Sequence, residues 1–487
     1  MRTLDAMAID AQGHSGQSLM ERAGLKTWQV LRARWPEVRR ISVCCGGGNN
    51  GGDGWVLARH ALEAGVLVQP ISVVDPDQLQ GDARRAHRAF IQNPSAPPVE
   101  RFDDNVELNG EVVVDALLGI GLRGAASGAA AACIECMAAA STPVLSVDVP
   151  SGLVADTGTA PGPAVHAEVT VSFVGQKRGL FTGEAARHRG HLVFDSLGAE
   201  ALASQHMPRP DATLLTGDVW RQTRPRLWAD THKGQRGHVD VVGGAPGMAG
   251  APVLAALGAL YAGSGRVTVW GSAATVTAAL AQTPALMAHD IVSNNRWQTP
   301  DWSGDVLAIG PGLGEVADPK VSSMLAAAMA FEGPLVVDAD GLNALAGQAC
   351  PARSGEWVLT PHPGEAARLL GVDTAAVQAD RFEAARTLAR THQAVVVLKG
   401  WGTLIAHPQG SVWVCPFGTP AMASAGMGDV LTGIIASLWG QGLSALDAAR
   451  CGVLIHAWAG ELAAKGRRSI TADQLAQHVA QVMVSAH

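Results

Sequence analysis

The sequence is poor in the residues that mark several classes of protein. Aromatic residues make up 5% of its 487 residues and charged residues 16%, and a single tyrosine accompanies 13 tryptophans. Basic residues form no block, and a net charge of -7 offers no electrostatic attraction to nucleic acid or to an anionic membrane surface. We therefore expect neither nucleic acid nor a membrane among the partners of this protein.

Cysteine is scarce and scattered. Seven cysteines, an odd number without secretory context, indicate thiols in a reducing compartment rather than a disulfide framework. Cys133 and Cys136 form a CxxC pair in an Ala-rich segment with no second pair, so we interpret them as ordinary thiols. Asp5, Asp10 and Glu21 interrupt the N-terminal segment where a secretory signal needs a continuous apolar stretch, which predicts a cytoplasmic protein.

Long uninterrupted apolar runs and internal repeats are also missing. The stretch Val241–Gly265 has no charge, but glycines and a proline between residues 243 and 250 divide it into strand, loop and helix rather than a membrane span. The absence of a fixed-period repeat excludes a solenoid. The sequence leaves the oligomeric state open, a homo-oligomer included.

The residues that are abundant favour an α/β protein. Hydrophobic residues reach 47% and glycines number 57, and the chain is long enough for two or three domains. Short apolar runs alternate with Ala- and Leu-rich helical stretches, which is typical of parallel sheets covered on both faces. The predicted strands lie at Ile41–Cys45, Val66–Val74, Glu111–Gly119, Pro143–Gly152, His238–Gly244, Gly265–Gly271, Asp305–Gly312, Pro334–Gly341, Trp357–Glu365 and Ala394–Gly400.

A break in this alternation predicts the domain boundary. Around residues 205–215, the segment HMPRPDATLLT is polar, carries two prolines and shows no periodicity, which is typical of a linker. We place the boundary at Asp211, which gives an N-terminal domain of residues 1–211 and a C-terminal domain of residues 212–487.

The first candidate site begins with the glycine-rich segment GGGNNGGDG, Gly46–Gly54. It follows a strand and leads into a helix, so its backbone N–H groups can approach a diphosphate near the positive end of the helix. The side chains of Asn49, Asn50 and Asp53 supply oxygens that a plain phosphate loop does not need. A purely structural turn would explain the glycines alone.

Two further strand ends carry carboxylates. Asp115 ends the run VVVD and Asp148 ends the run LSVD, and ligands of open α/β sheets bind outside the carboxyl ends of the strands. Each aspartate could instead cap a turn. Asn50, Asp115 and Ser151 together offer amide, carboxylate and hydroxyl oxygens to a hard cation.

These segments resemble a known family. NNGGDG, VVDALLGIGLRG, DVPSGLVADTG and LMERAG (Leu19–Gly24) resemble the N-terminal epimerase domain of the NAD(P)HX repair family, over about residues 1–210. The resemblance implies a Rossmann-like three-layer α/β/α domain. It also implies that Asp148 takes or gives a proton at carbon 6 of the hydrated nicotinamide ring and that Asn50, Asp115 and Ser151 hold potassium. The family usually has proline where this chain has Gly47. The implied contacts of the hydrate are Asn49, Asn50, Gly51, Gly52, Asp53, Gly119, Ile120, Gly121, Leu122, Arg123, Gly124, Ala125 and Asp148.

The second candidate site centres on AGMGDVLTG, Ala425–Gly433. Its glycines let backbone N–H groups surround a phosphate, and Asp429 can act as the general base in phosphoryl transfer or simply cap the helix. His362, held between two prolines in LTPHPGE, favours a ligand contact over a core position. Glu365 could organise magnesium waters, although a charged helix start explains it nearly as well.

The C-terminal motifs resemble the ADP- or ATP-dependent NAD(P)HX dehydratase, a ribokinase-like domain, over about residues 213–487. HKGQRGHV, VVGGAPGMAGAP, AIGPGLG, VVDADGLNAL, LTPHPGE, VLKG and AGMGDVLTG follow in the same order as in that family. The resemblance implies phosphorylation of the ring hydroxyl with Asp429 activating it, then phosphate loss, with Mg²⁺ and ADP or ATP. The implied contacts are Ala251, Gly312, His362 and Asp429 for the hydrate, and Lys399, Gly400, Trp401, Gly402, Thr403 and Gly428 for the nucleotide.

Three other interpretations compete with this one. A ribokinase-like small-molecule kinase with a fused non-catalytic nucleotide-binding domain would share the C-terminal motifs, but the NNGGDG and DVPSG segments argue against it. A non-catalytic protein with an interaction domain is disfavoured by Asp148 and Asp429. A flavodoxin-like redox protein lacks any flavin-specific feature here.

Overall fold

The computed structural model describes residues 16–199, 210–293, 296–315, 318–346, 353 and 355–485. The chain divides into two compact units, Met1–Pro210 and Asp211–His487, which we call the N-terminal and C-terminal units. The first 15 residues of the segment examined for a secretory signal, the first part of the proposed linker (residues 205–209) and Cys350 lie outside the described residues.

The N-terminal unit alternates helices and strands. Its helices are α1 (Gly16–Arg34), α2 (Asn49–Glu63), α3 (Gly81–Ile91), α4 (Gly128–Ala139) and α5 (Ala185–His188). Its strands are β1 (Arg40–Cys45), β2 (Leu67–Ser72), β3 (Glu100–Arg101), β4 (Val112–Ala116), β5 (Val144–Val147), β6 (Val169–Phe173) and β7 (His191–Asp195). Short 3-10 helices lie at Pro76–Gln78 and Arg178–Phe181.

These strands form a parallel sheet in the order β3-β2-β1-β4-β5-β6-β7. Successive side chains of a strand face opposite sides of a sheet, and the core divides accordingly. Val43 packs into a cluster with Trp55 of α2, whereas its neighbour Cys44 packs into a second cluster with Ile134 of α4. The unit is therefore a three-layer α/β/α domain, and the carboxyl ends of β1, β4 and β5 meet at one edge.

The C-terminal unit repeats the alternation at greater length. Its strands are β8 (Thr213–Leu214), β9 (His238–Val242), β10 (Arg266–Gly271), β11 (Met287–Asp290), β12 (Val292–Ser293), β13 (Arg296–Trp297), β14 (Val306–Ile309), β15 (Leu335–Val337), β16 (Trp357–Leu359), β17 (Val395–Leu398), β18 (Leu404–Ala406) and β19 (Val412–Val414). Its helices are α6 (Gly217–Thr223), α7 (Gly250–Tyr261), α8 (Ala273–Gln282), α9 (Pro319–Met329), α10 (Ala339–Leu345), α11 (Pro363–Leu370), α12 (Thr374–Ala379), α13 (Arg381–His392), α14 (Met427–Gly440), α15 (Ala445–Ala463) and α16 (Ala472–Ser485). Short 3-10 helices lie at Lys233–Arg236 and Pro420–Met422.

Ten of these strands form one sheet in the order β11-β10-β9-β14-β15-β16-β17-β18-β19-β8. The strands from β11 to β17 are parallel, and β17, β18 and β19 pair antiparallel. Helices α7 and α14 pack on this sheet in backbone contact, since a Cβ atom on Gly433 would lie 1.8 Å from the carbonyl oxygen of Ala255. That close approach fixes the start of α14, where Asp429 lies.

The predicted fold class, two α/β domains built on largely parallel sheets, is confirmed. Each strand predicted from the sequence is present; β1 begins one residue earlier than predicted, and the other predicted strands are one to several residues shorter in the structure. The sequence analysis did not predict β3, β6, β7, β11, β12, β13 or β19, and it assigned Thr213–Leu214 to the linker although this segment is the edge strand β8. Among the described residues no helix combines the length and the apolar character needed to cross a membrane, Val241–Gly265 included.

The glycine-rich segment after β1 also differs from the prediction. We expected a loop over Gly46–Gly54, but α2 begins at Asn49, which leaves Gly46–Gly48 as the loop. Glycine is a poor helix former, so local propensity argues against this start. Packing decides it: a Cβ atom on Gly51 would lie 2.0 Å from the carbonyl oxygen of Gly46, so only glycine lets the first turn close onto the strand end.

Candidate active sites

A cleft of about 730 Å³ lies at the carboxyl edge of the N-terminal sheet. Its walls come from the loop after β1, the first turn of α2, the segment after β4, the end of β5 and the segment after β6. Among the residues predicted to contact a ligand, those that line it are Asn49, Asn50, Asp53, Gly119, Ile120, Gly121, Leu122, Arg123, Gly124, Ala125 and Asp148. Gly51 and Gly52 are buried in α2, where Gly52 faces the flexible side chain of Met20.

Beneath the cleft, a hydrogen-bond network surrounds the buried carboxylate of Asp115. Oδ2 accepts hydrogen bonds from the Ser151 backbone N–H and from the Ser146 hydroxyl, each at 2.8 Å, and Oδ1 accepts from the Ser151 hydroxyl at 2.5 Å. Burial raises the pKa of Asp115 and these hydrogen bonds lower it, with burial the larger effect. A neighbouring positive charge would favour the ionised form of this carboxylate.

Asn50 completes the set of oxygen donors predicted for a cation. Its side chain lies against Gly119, where an added Cβ would be 3.4 Å from Asn50 Oδ1, and the adjacent Leu118 N–H donates to the Ser151 hydroxyl at 2.8 Å. Its buried Nδ2 has no hydrogen-bond partner among the described residues. A carboxylate, a hydroxyl and an amide gathered around one loop are hard oxygen donors that fit an alkali or alkaline-earth cation.

Asp148 stands just beyond β5 and faces the cleft. Its φ of 65° is a left-handed conformation that an L-residue other than glycine rarely adopts. Its Oδ1 accepts a hydrogen bond from the ammonium group of Lys177 and a weaker one from the Phe173 N–H at 3.3 Å. The side chain of Asp148 is 15% exposed and that of Lys177 3%. Both residues line the cleft, and the Asp148 carboxylate is the more accessible member of the pair.

In the C-terminal unit, ionisable side chains gather at the start of α14. Lys399 Nζ donates to Asp338 Oδ1 at 2.7 Å and lies 3.7 Å from Glu365 Oε2, while Thr432 of α14 donates to Asp338 Oδ2 at 2.8 Å. Burial opposes both charges, but the ion pair wins: the pKa of Asp338 is lowered by Lys399, and the pKa of Lys399 is raised by Asp338 and Glu365.

Asp429 lies next to this ion pair with the opposite balance. Burial raises its pKa, the carboxylate of Asp338 raises it further, and Lys399 lowers it only in part, so that the pKa reaches about 8. A carboxyl group with a pKa near the working pH is suited to accept a proton from a substrate. Gly428 precedes it, and a Cβ atom there would lie 3.1 Å from Lys399 Nζ, so the glycine keeps the turn open beside the ammonium.

Comparisons with known proteins agree with this geometry. Residues 239–481 match the family model described as NAD(P)H-hydrate dehydratase, and residues 16–179 match the model described as YjeF-related protein N-terminus. The bifunctional NAD(P)H-hydrate repair enzyme Nnr of Coxiella burnetii (strain RSA 493 / Nine Mile phase I) is 42% identical over 481 residues, which cover 98% of this chain and 97% of that protein. The chain belongs to the family of bifunctional NAD(P)H-hydrate repair enzymes.

Solved structures resemble the C-terminal unit. The crystal structure of the ADP/ATP-dependent NAD(P)H-hydrate dehydratase from Bacillus subtilis, co-crystallised with ATP and Mg²⁺, is 30% identical with a TM-score of 0.53 and covers 57% of this chain and 99% of that one. A ribokinase-like superfamily protein from Enterococcus faecalis V583, at 22% identity and a TM-score of 0.51, covers 58% of this chain and 99% of that one and shows the fold alone. The ribokinase-like fold predicted for this family member is confirmed.

The other residues predicted for the dehydratase half of this repair enzyme fall into two groups. Ala251 and Gly312 are neighbours, since a Cβ atom on Gly312 would lie 3.3 Å from the Ala251 Cβ. Leu254, one turn along α7 from Ala251, abuts Gly426, so this pair lies on the helix that packs at the start of α14. The second group is the β17–β18 turn, Lys399–Thr403, where Gly400 and Gly402 adopt φ values of 136° and 64°.

His362 and Glu365 form the N-terminal cap of α11, which is the helix-start role considered for Glu365. His362 caps α11, with its Nδ1 accepting from the Gly364 N–H at 2.9 Å, and Glu365 closes the capping box by accepting from the His362 N–H at 2.7 Å. The His362 side chain is 51% exposed and available to a ligand, whereas Glu365 is buried beside Lys399.

Sequence reasoning missed three residues of these sites: Lys177, Asp338 and Thr432. Asp338 and Thr432 lie inside the motifs VVDADGLNAL and AGMGDVLTG, which carry the family resemblance but do not reveal the roles of these two residues. Lys177 follows β6, a strand that the sequence analysis did not predict. The apolar run before it, VTVSFV, was the available signal.

Proposed function

We propose that this repair enzyme interconverts the R and S epimers of hydrated NADH and NADPH at its N-terminal unit and dehydrates the S epimer at its C-terminal unit. ADP or ATP is the phosphoryl donor, with Mg²⁺, and the products are NAD(P)H, phosphate and AMP or ADP. The observation that carries the proposal is the presence of two separate acid–base centres, Asp148 in an open cleft and Asp429 at a glycine-rich helix start, in a chain of this family.

In the C-terminal unit, Asp429 accepts the proton of the ring hydroxyl while that oxygen attacks the terminal phosphoryl group. The backbone turn at Gly428 and the ammonium of Lys399 face the phosphates, because both lie beside Asp429. Gly400, Trp401, Gly402 and Thr403 hold the rest of the nucleotide, and Ala251, Gly312 and His362 contact the hydrate. Phosphorylation turns the hydroxyl into a good leaving group: the carbon–oxygen bond at carbon 6 breaks with its electron pair leaving on phosphate, and loss of a proton from carbon 5 forms the ring double bond.

In the N-terminal unit, Asp148 exchanges a proton with the hydroxyl on carbon 6 of the hydrated ring. The segment Gly119–Ala125 contacts the diphosphate, and Asn49 and Asp53 hold the hydrate at the start of α2. Asn50, Asp115 and Ser151 hold a potassium ion, which supplies a positive charge near the diphosphate side. The oxygens of Asp115 and Ser151, which lie in hydrogen-bond contact, and Asn50 Oδ1 beside Gly119 support that donor set.

The rival kinase function assigns the N-terminal unit no chemistry. The strained backbone of Asp148 argues against the kinase function, because an L-residue at a φ of 65° costs about 1–3 kcal/mol and is retained where function requires it.

The six described cysteines are free thiols, which supports the further proposal that the enzyme works in the reducing cytoplasm.

One assay tests both activities. The purified chain is incubated with mixed NADHX epimers, Mg²⁺, K⁺ and either ADP or ATP, and the return of NADH absorbance is followed. Wild type should restore all NADH, a fast phase reporting dehydration and a second phase reporting epimerisation, with Asp429→Ala abolishing both and Asp148→Ala slowing only the second. No return of NADH with either nucleotide would overturn the proposal and favour the kinase.

A further inference from the structure

Lys177 has no role in the function proposed so far, although its ammonium group is built into the cleft. It lies four residues beyond the end of β6, and its side chain folds back so that Nζ donates to Asp148 Oδ1 and, at 2.7 Å, to the carbonyl oxygen of Phe173. An ammonium group has three N–H donors, so these two acceptors leave one for a ligand. Both Lys177 and Asp148 line the cleft.

The backbone around this pair is strained at both ends. Asp148 has a φ of 65° and Val174 a φ of 63°, and a β-branched residue in this region is a genuine outlier. Each is held by a backbone hydrogen bond, Asp148 N–H to Val171 O at 2.7 Å and Val174 N–H to Asp195 O at 3.0 Å. Strain of this kind persists where the surrounding structure fixes it, and it clusters at functional sites.

Burial makes a merely structural role for the ammonium costly. The Lys177 side chain is 3% exposed, and taking a charge out of water costs several kcal/mol unless a partner compensates for it. A hydrophobic residue of similar volume would fill the same space without that cost. The ammonium is instead retained at the wall of the cleft, on the one carboxylate that faces the reacting ring in the proposed function.

We propose that Lys177 is the proton donor that works opposite Asp148 in epimerisation. The inference rests on the proposed epimerase function. Carbon 6 of the hydrate carries both the hydroxyl group and the ring nitrogen, so its configuration is lost when the carbon–nitrogen bond opens.

The proton balance of this step needs one base and one acid. The carboxylate of Asp148 takes the hydroxyl proton, the oxygen–carbon bond becomes a carbonyl, and the carbon–nitrogen bond breaks with its electron pair moving to nitrogen. Lys177 gives that nitrogen a proton. Rotation about the adjacent carbon–carbon bond and the reverse proton transfers close the ring with the opposite configuration, and both side chains return to their starting states without any oxidant or reductant.

The test uses the full-length chain in the assay of mixed NADHX epimers. Lys177→Gln and Lys177→Arg are compared with wild type and with Lys26→Gln, a control at a lysine of the same unit that pairs with Asp195 and does not line the cleft. We expect Lys177→Gln to slow the second phase by about 10²–10⁴-fold, the usual contribution of general acid–base catalysis, and to leave the first phase unchanged. Lys26→Gln should leave both phases unchanged.

Lys177→Arg separates proton donation from charge. Arginine keeps the positive charge but is effectively never deprotonated. We therefore expect Lys177→Arg to keep the wild-type melting temperature while its second phase stays as slow as in Lys177→Gln. Full restoration of the rate by arginine would mean that the charge alone matters, and it would overturn the inference. So would a second phase in Lys177→Gln as fast as in wild type. A wild-type enzyme without any second phase would instead overturn the proposed epimerase function.

Rescue of Lys177→Ala by small primary amines keeps the inference testable if the substitutions disturb folding. Methylamine, ethanolamine and fluoroethylamine differ in acidity while remaining small enough for the space left by the side chain. A proton donor predicts that the rescued rate of the second phase rises with the acidity of the ammonium. No rescue, or rescue independent of acidity, would overturn the inference.

Discussion

In the N-terminal unit the ammonium of Lys177 bonds Asp148 itself, whereas in the C-terminal unit the ammonium of Lys399 bonds Asp338 and leaves Asp429 beside other carboxylates. The two sites use the same two residue types. The difference lies in which carboxylate the lysine contacts. Asp148 is hydrogen-bonded to its lysine, whereas burial and the neighbouring carboxylate of Asp338 raise the pKa of Asp429 to about 8.

An aspartate and a lysine can therefore serve two different reactions, depending on whether they contact each other. In the epimerisation step that we infer, a base acts on the hydroxyl oxygen and an acid on the ring nitrogen of the same carbon, and the contacting pair Asp148–Lys177 would provide both. Phosphoryl transfer needs a base that takes one proton while the positive charges face the phosphates. In the C-terminal unit the lysine is held away from the base by Asp338, and the base is tuned by burial.

The largest effect that separates the sites comes from Asp429→Asn. Asparagine keeps the shape but cannot accept the hydroxyl proton, so we expect the return of NADH to slow by about 10³-fold, within the range of a lost general base. Epimer interconversion, followed by chromatography of the two hydrates without nucleotide, should remain at the wild-type rate. A parallel loss of epimerisation in this variant would break the comparison, because the sites would then not be independent.

The next effect concerns the cation set proposed for the N-terminal unit. We expect Asp115→Asn to weaken the apparent potassium affinity of the second phase by about 10–100-fold, the usual cost of disturbing a metal site. The measurement is a KCl titration at constant ionic strength, with tetramethylammonium chloride as balancing salt. Asp195→Asn, at a carboxylate that pairs with Lys26, serves as the control. Unchanged potassium dependence in Asp115→Asn would contradict the proposed ligand set.

The carboxylates of both sites could be predicted from the sequence, but their partners could not. Asp115, Asp148 and Asp429 follow apolar runs or glycine-rich turns, so local pattern places them at the functional edge of a parallel sheet. The contact between Lys177 and Asp148 involves two left-handed residues, Asp148 and Val174, which directly follow the neighbouring strands β5 and β6, and no local sequence signal predicts either. The position of the lysine, which distinguishes the sites, is therefore a tertiary feature.

The start of α2 is a second feature that local sequence does not predict. Five glycines in GGGNNGGDG after Gly46 predict a loop, because glycine disfavours helix. The helix begins within this segment because Gly51 and Gly54 pack directly on the end of β1 and on Ala116. Which glycines belong to a loop and which to a close contact is therefore decided by packing against β1 and Ala116, which helix propensity does not reveal.

A smaller effect tests the tuning of Asp429 by Lys399. Because Asp429 acts as a base and its pKa is about 8, dehydration should slow as the pH falls below that value. Lys399 lowers the pKa of Asp429, so Lys399→Met should move the acidic limb of the pH–rate profile, measured at saturating nucleotide, to higher pH. Each pH unit of that shift should slow dehydration at neutral pH by up to roughly tenfold. Lys399→Arg should keep the wild-type limb. A limb that does not move, or moves to lower pH, would contradict the assigned electrostatics.

The smallest expected effect on chemistry, and a clear one on stability, comes from the packing that positions Asp429. Gly433→Ala would force a Cβ atom to 1.8 Å from the Ala255 carbonyl oxygen, whereas Gly440→Ala, in the same helix, meets the Val306 side chain at 3.4 Å. We expect Gly433→Ala to destabilise the C-terminal unit by about 1–3 kcal/mol in urea unfolding, as overpacking does, and Gly440→Ala to leave it nearly unchanged. The second phase of the NADHX assay should survive in both. Equal stability of the two variants would show that helix α14 can shift away from α7, and the pKa of Asp429 would then not be fixed by this contact.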